Sequence, residues 1–310
     1  MSATTDWPTA AADDEVVRTS EAPRLRLWQR LRELVAHREI LVNLIRKEVK
    51  VKYASSVLGA AWSTLNPILY LAVFSLVFAV VLRNKVPNFP VYLLSGLLAW
   101  NLFSSSLALS ARSVVENANL VKKVYFPREI LPLASIGASL VDFALQALVL
   151  IAFMAISTYP FIGLNLLLLP LSFVALLVFT AAVSLAVAAL NVRYRDTQHL
   201  LNLGLMMWFW LTPVVYQFGF LQHRIADGVG SWAYYLYLAL NPMADVVAGF
   251  QRSIYRIVDP SPSAGPTVLM NASVAVQALE LTCVIVGSLG LLYVSLRFFF
   301  KQAGDFAEEL

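Results

Sequence analysis

The chain has 310 residues, of which 59% are hydrophobic and only 14% are charged, with a mean hydropathy of +0.70 and a net charge of +4. Because a soluble domain is about half apolar and roughly a quarter charged, this composition excludes an ordinary soluble protein and favours one embedded in a membrane. The single cysteine and three scattered histidines exclude a disulfide framework and a cysteine- or histidine-rich metal site.

The N-terminal segment, residues 1–23, is polar and acidic and contains no apolar stretch. A signal peptide needs such a stretch, so we predict a disordered cytoplasmic tail instead.

Residues 24–52 place apolar side chains at helical spacing between basic ones, with Trp28 on the apolar side. This pattern predicts an amphipathic helix in the membrane interface, and a surface helix packed on another protein is the alternative.

Six segments are long and apolar enough to cross a bilayer, which takes about 20 mostly apolar residues. None of them shows the polar face at a period of 3.6 residues that is typical of helices in soluble proteins. The fold class that we expect is an all-α membrane protein with six spans in a domain over residues 53–302, followed by a cytoplasmic tail at 303–310. The predicted spans are approximately 57–82, 91–111, 130–157, 164–190, 200–221 and 272–296.

Charge predicts the orientation of these spans. With six spans and the N-terminus inside, cytoplasmic segments hold 18 of the 23 lysines and arginines. Since positive residues concentrate on the cytoplasmic side of membrane proteins, both termini are expected to be cytoplasmic.

A further apolar segment, residues 231–250, is interrupted at Asn241 and Pro242, and Asp245 follows. Only about ten residues remain uninterrupted, which is too few to span a bilayer. We therefore predict two short re-entrant helices before the last span, within an outer segment at about 222–270. The charge count alone leaves a seventh span open.

Motifs for catalysis are absent. The sequence has no P-loop and no set of nucleophile and base that would share a site, so we expect a non-catalytic chain that binds no cofactor or metal. Two carboxylates lie within predicted spans. Asp142 is expected to face protein and to bond Gln146 or a neighbouring helix, and Glu280 is expected to reach towards the surface.

Four strings in the right order resemble a known family, and they cover about residues 24–302. The most specific are Tyr-x-x-Ser-x-Leu-Gly-x-x-Trp at 53–62 and Phe-Pro-Arg-Glu-x-Leu-Pro at 126–132, and the other two lie at 191–216 and 240–255. The chain resembles the permease subunits of type-2 ABC exporters that move polysaccharides and polyol phosphates, such as O-antigen, capsule and teichoic acid. The acidic N-terminal tail is not a feature that we associate with this family.

The resemblance implies a transport function. It implies a homodimer in the bacterial inner membrane, with a channel at the dimer interface through which a lipid-linked polysaccharide leaves the cytoplasm. It also implies two copies of a separate ATPase subunit that bind ATP and Mg²⁺, which agrees with the missing P-loop. Membrane lipids are further expected partners, and nucleic acid is not.

The segment between the second and third spans is the expected contact with the ATPase. A short cytoplasmic helix over about 113–121 would expose polar side chains, and Pro127 would stop it from continuing into the next span. The resemblance implies a coupling helix here, whereas a solvated turn that only fixes topology is the alternative. The predicted coupling residues are Glu116, Asn117, Lys122, Lys123 and Arg128.

Aromatic residues are candidates for contact with the glycan, because flat rings pack on the C–H faces of sugars. Packing between helices and an aromatic belt at the interface are the alternatives. Two tryptophans two positions apart, Trp208 and Trp210, cannot point the same way on one helix. The predicted channel residues are Trp62, Tyr70, Phe74, Trp208, Trp210 and Tyr216, and the predicted outer gate is Trp232, Tyr234, Tyr235 and Tyr237.

Basic residues at the cytoplasmic mouth are candidates for binding the diphosphate of a lipid-linked glycan. Orientation of the chain and binding of anionic lipids explain them equally well. These residues are Arg46, Lys47, Lys50, Lys52, Arg193 and Arg195.

Other functions stay open at this point. A drug or lipid exporter of the same superfamily would be favoured by large outer domains, which the sequence lacks. A membrane glycan-processing enzyme would need clustered polar residues at the membrane surface. A proton-coupled transporter would need paired carboxylates within the membrane and internal repeats.

Overall fold

The computed structural model describes residues 27–54, 126–159, 163–219, 230–255 and 306–309, most of 86–124 and 268–304, and scattered positions between 65 and 76 and between 221 and 228. Most of the predicted first span lies outside the described residues. The predicted channel residues Trp62 and Phe74 also lie outside them. Tyr70 is described, and 49% of its surface is exposed.

The described residues form helices and no strands, which confirms the all-α prediction. Four helices are long and apolar enough to cross a membrane, and they agree with the predicted second, third, fourth and sixth spans. In chain order the helices are α1 (Leu27–Ala36), α2 (Arg38–Tyr53), α3 (Phe89–Glu116), α4 (Ala118–Lys123), α5 (Ile130–Ile156), a 3₁₀ turn (Leu164–Leu167), α6 (Leu168–Arg193), α7 (Thr197–Leu211), α8 (Ser231–Leu240), α9 (Pro242–Ile254), α10 (Val274–Ala303) and α11 (Phe306–Glu309).

The predicted span at 200–221 is a shorter helix than the sequence suggested. Helix α7 has 15 residues, so it is about 22 Å long, whereas the apolar core of a bilayer is about 30 Å thick. The helix ends at Leu211, and the backbone of the next residue, Thr212, is extended. Pro213 explains the extended backbone of Thr212, because a proline disfavours helical backbone in the residue before it.

The break predicted at Asn241 and Pro242 is present. Helices α8 and α9 have 10 and 13 residues and meet at Asn241, with Pro242 in the first turn of α9. The missing N–H of a proline is harmless in that position. Neither helix is long enough to cross a bilayer alone.

Helix α3 lies at the centre of the molecule and contacts α5, α6 and α9. In its most apolar window 72% of the residues are buried, against 22% in α5 and in α10. The outer faces of α5 and α10 expose leucines, isoleucines and valines, for example Leu148 and Val286 at 62% and 64%. Such faces suit contact with lipid chains.

The predicted interface helix is divided in two at His37, and its second part, α2, packs along α5. Gly137 on α5 allows this close approach, since a Cβ atom there would meet the Ile45 side chain. Helix α2 is therefore fixed to the span that follows α4.

Candidate coupling surface and transport path

Helix α2 is tied to the junction of α3 and α4 by a hydrogen bond. The Lys47 ammonium donates to Asn117 Oδ1 at 2.6 Å, and Asn117 Nδ2 donates to the Ser113 carbonyl oxygen at 2.7 Å. Asn117 is the single residue between the two helices, and it is only 7% exposed. The amide thus joins the end of a span to α2, the helix that precedes the predicted first span.

A second tie joins α2 to α5. The carboxylate of Asp142 accepts from the Lys52 ammonium at 2.5 Å and from the Tyr53 hydroxyl at 2.5 Å. The Asp142 side chain is 8% exposed and that of Lys52 is 45% exposed. The prediction that Asp142 bonds a neighbouring helix is therefore correct, whereas Gln146 accepts instead from Asn101 Nδ2 at 2.8 Å.

We call this unit the elbow: helices α2 and α4, Asn117 between α3 and α4, and the part of α5 that carries Asp142. A groove of about 680 Å³ lies between α2 and α4. Its lining includes the apolar Leu44 and Leu120 and the charged Lys47, Glu116 and Lys123. The elbow thus presents a mixed surface at the ends of two spans.

The predicted coupling helix is present but begins later than expected. Helix α3 continues to Glu116, and the separate short helix α4 covers Ala118–Lys123 instead of about 113–121. Lys122 and Lys123 are exposed, Arg128 is half-buried, and Glu116 is exposed beside Arg112 at 3.4 Å. The prediction that Asn117 is accessible is wrong, since its amide is buried in the tie to Lys47.

The basic residues of the predicted cytoplasmic entrance differ in their surroundings. Lys47 and Lys52 are engaged in the elbow. Arg46, Lys50, Arg193 and Arg195 are exposed.

The two tryptophans of α7 point in opposite directions. Trp208 is partly buried, its ring packs edge-on against Phe103 at 5.2 Å, and its Nε1 donates to Asn241 Oδ1 at 2.7 Å. Trp210 is 56% exposed. Trp208 is therefore a packing residue that joins α7 to the break between α8 and α9.

The face of α7 that carries Trp210 is broadly apolar and uncovered among the described residues. It also exposes Leu200, Leu203, Met206, Met207 and Leu211. The predicted channel residue Tyr216 is half-buried, and its hydroxyl donates to the Trp210 carbonyl oxygen at 3.1 Å.

The predicted outer gate is divided in the same way. Trp232 and Tyr235 are each 63% exposed, whereas Tyr234 is 5% exposed. The Tyr237 hydroxyl donates to the Leu211 carbonyl oxygen at 2.7 Å and so ties α8 to the end of α7. Two of the four rings are thus exposed, while the other two take part in packing and hydrogen bonding within the protein.

A groove beside α10 contains a pair of residues that sequence reasoning missed. Asp245 on α9 and Glu280 on α10 both line a cavity of about 520 Å³, which we call the acidic groove. In the sequence each acid lies inside an apolar segment, which was the available signal of a functional role for these residues. Only the fold shows that the two residues line the same groove.

The apolar spans, the polar elbow at their ends and the broken helices before α10 define a multi-span helical membrane protein with the parts of a transport subunit. The model of the ABC-2 type transporter family matches residues 40–252. The chain belongs to this family.

Three named relatives place the chain more narrowly. It is 36% identical over 235 residues to the O-antigen export system permease protein RfbA of Myxococcus xanthus, which is 75% of this chain and 87% of the relative. It is 30% identical over 218 residues to the RfbA protein of Klebsiella pneumoniae, covering 69% and 79%. It is 24% identical over 211 residues to the polysialic acid transport protein KpsM of Escherichia coli, covering 66% and 76%.

Proposed function

We propose that this chain is the membrane subunit of an ATP-driven exporter that moves a lipid-linked polysaccharide from the cytoplasm across the bacterial inner membrane. The cargo class is that of O-antigen, capsule or teichoic acid. The observation that carries the proposal is the similarity to two O-antigen export permeases over most of their length. Two copies of the chain form the channel at their interface.

The proposed topology has six spans and both termini in the cytoplasm. Four long helices and the distribution of lysines and arginines support it. Helix α7 provides most of the fifth span, and the chain after Thr212 completes it. Helices α8 and α9 re-enter the membrane from the outside, because each is short and the break between them is covered by protein at Asn241.

A separate ATPase binds the elbow and supplies the energy. Lys122 and Lys123 project from a short helix that directly continues a span, so movement of α4 moves α3. The ties from Lys47 to Asn117 and from Lys52 to Asp142 carry the same movement to α2 and α5. ATP and Mg²⁺ are bound by the ATPase, and this chain has no catalytic role.

The channel wall is formed in part by the exposed rings Tyr70, Trp210 and Trp232. Rings of this kind pack on the C–H faces of sugars and leave the hydroxyl groups hydrated. A chain of many sugar units slides past shallow contacts more readily than past one deep site. The partly buried Trp208 and the buried Tyr234 support this wall without contacting the glycan.

The four basic residues at the proposed cytoplasmic mouth that are not part of the elbow ties receive the diphosphate of the lipid carrier. Guanidinium groups form charge-assisted, bidentate hydrogen bonds with phosphate, and ammonium groups attract it as point charges. These residues are Arg46, Lys50, Arg193 and Arg195.

Depletion of the chain in cells tests the proposal. Lipid-linked saccharides extracted from the cytoplasmic side are expected to accumulate, and their composition identifies the cargo. Re-expression of the wild-type chain serves as the control and should restore the normal level. If no lipid-linked glycan accumulates in depleted cells, the chain does not export one.

A further inference from the structure

The acidic groove has the shape of a site for an amphiphile. It is bounded by α8 and α9 on one side and by α10 on the other, with Phe179 of α6 in its wall. Its lining on α10 extends from Leu279 to Leu291, which is about 18 Å at the rise of an α-helix. The groove therefore extends along a membrane-spanning helix from a region near its beginning towards its middle.

Polar groups lie near one end of this groove. Asp245 is only 5% exposed, and its Oδ1 has no hydrogen-bond partner among the described residues. Glu280 Oε2 also lacks one, and the two carboxyl groups are close enough for their charges to interact. The buried Tyr234 hydroxyl lies within electrostatic reach of both acids and has no described partner either.

A cation is the natural occupant of this end. Two carboxylates that line one groove in apolar surroundings repel, and removal of their charge from water is costly unless a cation compensates it. Arg252 lies on the same helix as Asp245, but its guanidinium donates to the Met270 carbonyl oxygen at 3.2 Å. Among the described residues, no lysine or arginine forms an ion pair with either carboxyl group.

The rest of the groove suits a hydrocarbon chain. Its lining beyond Glu280 includes Val284 and Leu291, with Gly287 between them. A Cβ atom added to Gly287 would meet nothing within 4 Å. This glycine therefore leaves an open slot along α10.

We propose that the acidic groove binds a phospholipid with a primary ammonium headgroup, phosphatidylethanolamine, independently of the cargo. The ammonium lies between Asp245 and Glu280, and an acyl chain lies along α10 past Gly287. A primary ammonium donates three hydrogen bonds to carboxylates, whereas the quaternary ammonium of phosphatidylcholine donates none. Anionic lipids are disfavoured by the two acids, and for the same reason the diphosphate of a lipid-linked glycan does not use this groove.

The chain contains its own reporter for this site. Cys283 is the only cysteine in the sequence, it is exposed, and it lines the groove. The full-length chain is reconstituted in phosphatidylcholine vesicles, and the rate at which a membrane-permeant maleimide labels Cys283 is measured as phosphatidylethanolamine is added. We expect labelling to slow with phosphatidylethanolamine and to stay unchanged with the same amount of phosphatidylglycerol.

Two sets of variants separate the headgroup from the acyl chain. In the double variant Asp245→Asn with Glu280→Gln, protection of Cys283 should need at least about tenfold more phosphatidylethanolamine, because charged hydrogen bonds are lost. Gly287→Leu should also abolish protection by filling the slot. Gly290→Leu is the matched control, since a Cβ atom there also meets nothing within 4 Å but the residue does not line the groove.

Three results would overturn the proposal. Protection that is equal for phosphatidylethanolamine and phosphatidylglycerol would show that the headgroup is not recognised. Protection that survives in the double acid variant would exclude a role for the carboxyl groups. An oxidant that joins two chains through Cys283 in native membranes would show that a second copy of the chain covers the groove. Native mass spectrometry of retained lipids provides a second readout, independent of the thiol.

Discussion

The elbow and the region around the acidic groove differ in how they treat buried polar groups. In the elbow, Asp142 and Asn117 are both paired with side chains of α2. Around the groove, carboxyl oxygens of Asp245 and Glu280 and the hydroxyl of Tyr234 have no described partner.

This difference indicates that the two regions have different roles. Paired groups across helices fix those helices to one another, so the elbow is suited to transmit movement as one unit. Unpaired buried groups are costly in an apolar environment and are kept where a ligand completes them. The region around the groove is therefore suited to binding, while hydrogen bonds of Trp208 and Tyr237 join α7 to Asn241 and to α8.

The largest expected effect separates the two tryptophans of α7. Trp208→Ala should lower the free energy of unfolding by about 3 kcal/mol, since it removes a partly buried ring and the bond to Asn241. Trp210→Ala should leave stability almost unchanged but reduce export, because the ring is exposed. Thermal unfolding in detergent and glycan export in cells measure the two quantities. If Trp210→Ala is the more destabilising change, the assignment of the two rings is wrong.

The next effect tests the tie between α2 and α5. Lys52→Met should lower the free energy of unfolding by about 2 kcal/mol, because the nearly buried Asp142 carboxylate loses its counter-ion while partial exposure of Lys52 moderates the loss. Lys50→Met is the matched control, since Lys50 is exposed.

Neutralising both partners sharpens this test. Adding Asp142→Asn to Lys52→Met should recover part of the lost stability, because no buried charge remains without a partner. A double variant that is less stable than Lys52→Met alone would contradict the pairing. Thermal unfolding of the wild type, Lys52→Met, Asp142→Asn and the double variant in the same detergent completes the cycle.

A third prediction concerns the exposed face of the elbow. Reversing both charges, with Lys122→Glu and Lys123→Glu, should reduce co-purification of the ATPase at least about tenfold, which corresponds to about 1.4 kcal/mol. Stability of the chain should not change, because both side chains are exposed. The charge-conserving pair Lys122→Arg and Lys123→Arg should keep most of the binding. Unchanged co-purification in the reversed variant would place the ATPase contact elsewhere.

The smallest of the expected free-energy changes is at the junction of α3 and α4. Asn117→Ala removes the acceptor of the Lys47 ammonium and should cost about 1 kcal/mol. Because α2 is then released from α4, ATP hydrolysis by the complex should continue while export falls. Asn119→Ala is the control, since Asn119 lies two residues further along the chain, in α4, and is exposed. Equal effects of the two changes on export would show that the tie does not transmit movement.

Features that depend on one segment of the sequence were predictable. The lengths of the apolar segments predicted α3, α5, α6 and α10, and the pair of Asn241 and Pro242 predicted the break between α8 and α9. These features follow from local chemistry, because burial of an apolar stretch and the missing N–H of a proline act within a few turns.

Features that depend on two distant segments were not predictable. Lys52 and Asp142 are 90 positions apart, and nothing in either segment specifies the other. The sequence showed that Trp208 and Trp210 diverge, but only the position of Phe103 decides which of them is inside. The start of α4 was missed because α3 has no breaker before Asn117, so the span continues past the predicted helix start.

The most direct test of the account is transport into inverted membrane vesicles that contain this chain and its ATPase. A lipid-linked polysaccharide added outside should become protected from a glycan-cleaving enzyme only when ATP is present. Vesicles that lack either subunit should give no protection. Protection that develops without ATP, or with the ATPase but without this chain, would contradict the proposal that this chain is the membrane path of an ATP-driven polysaccharide exporter.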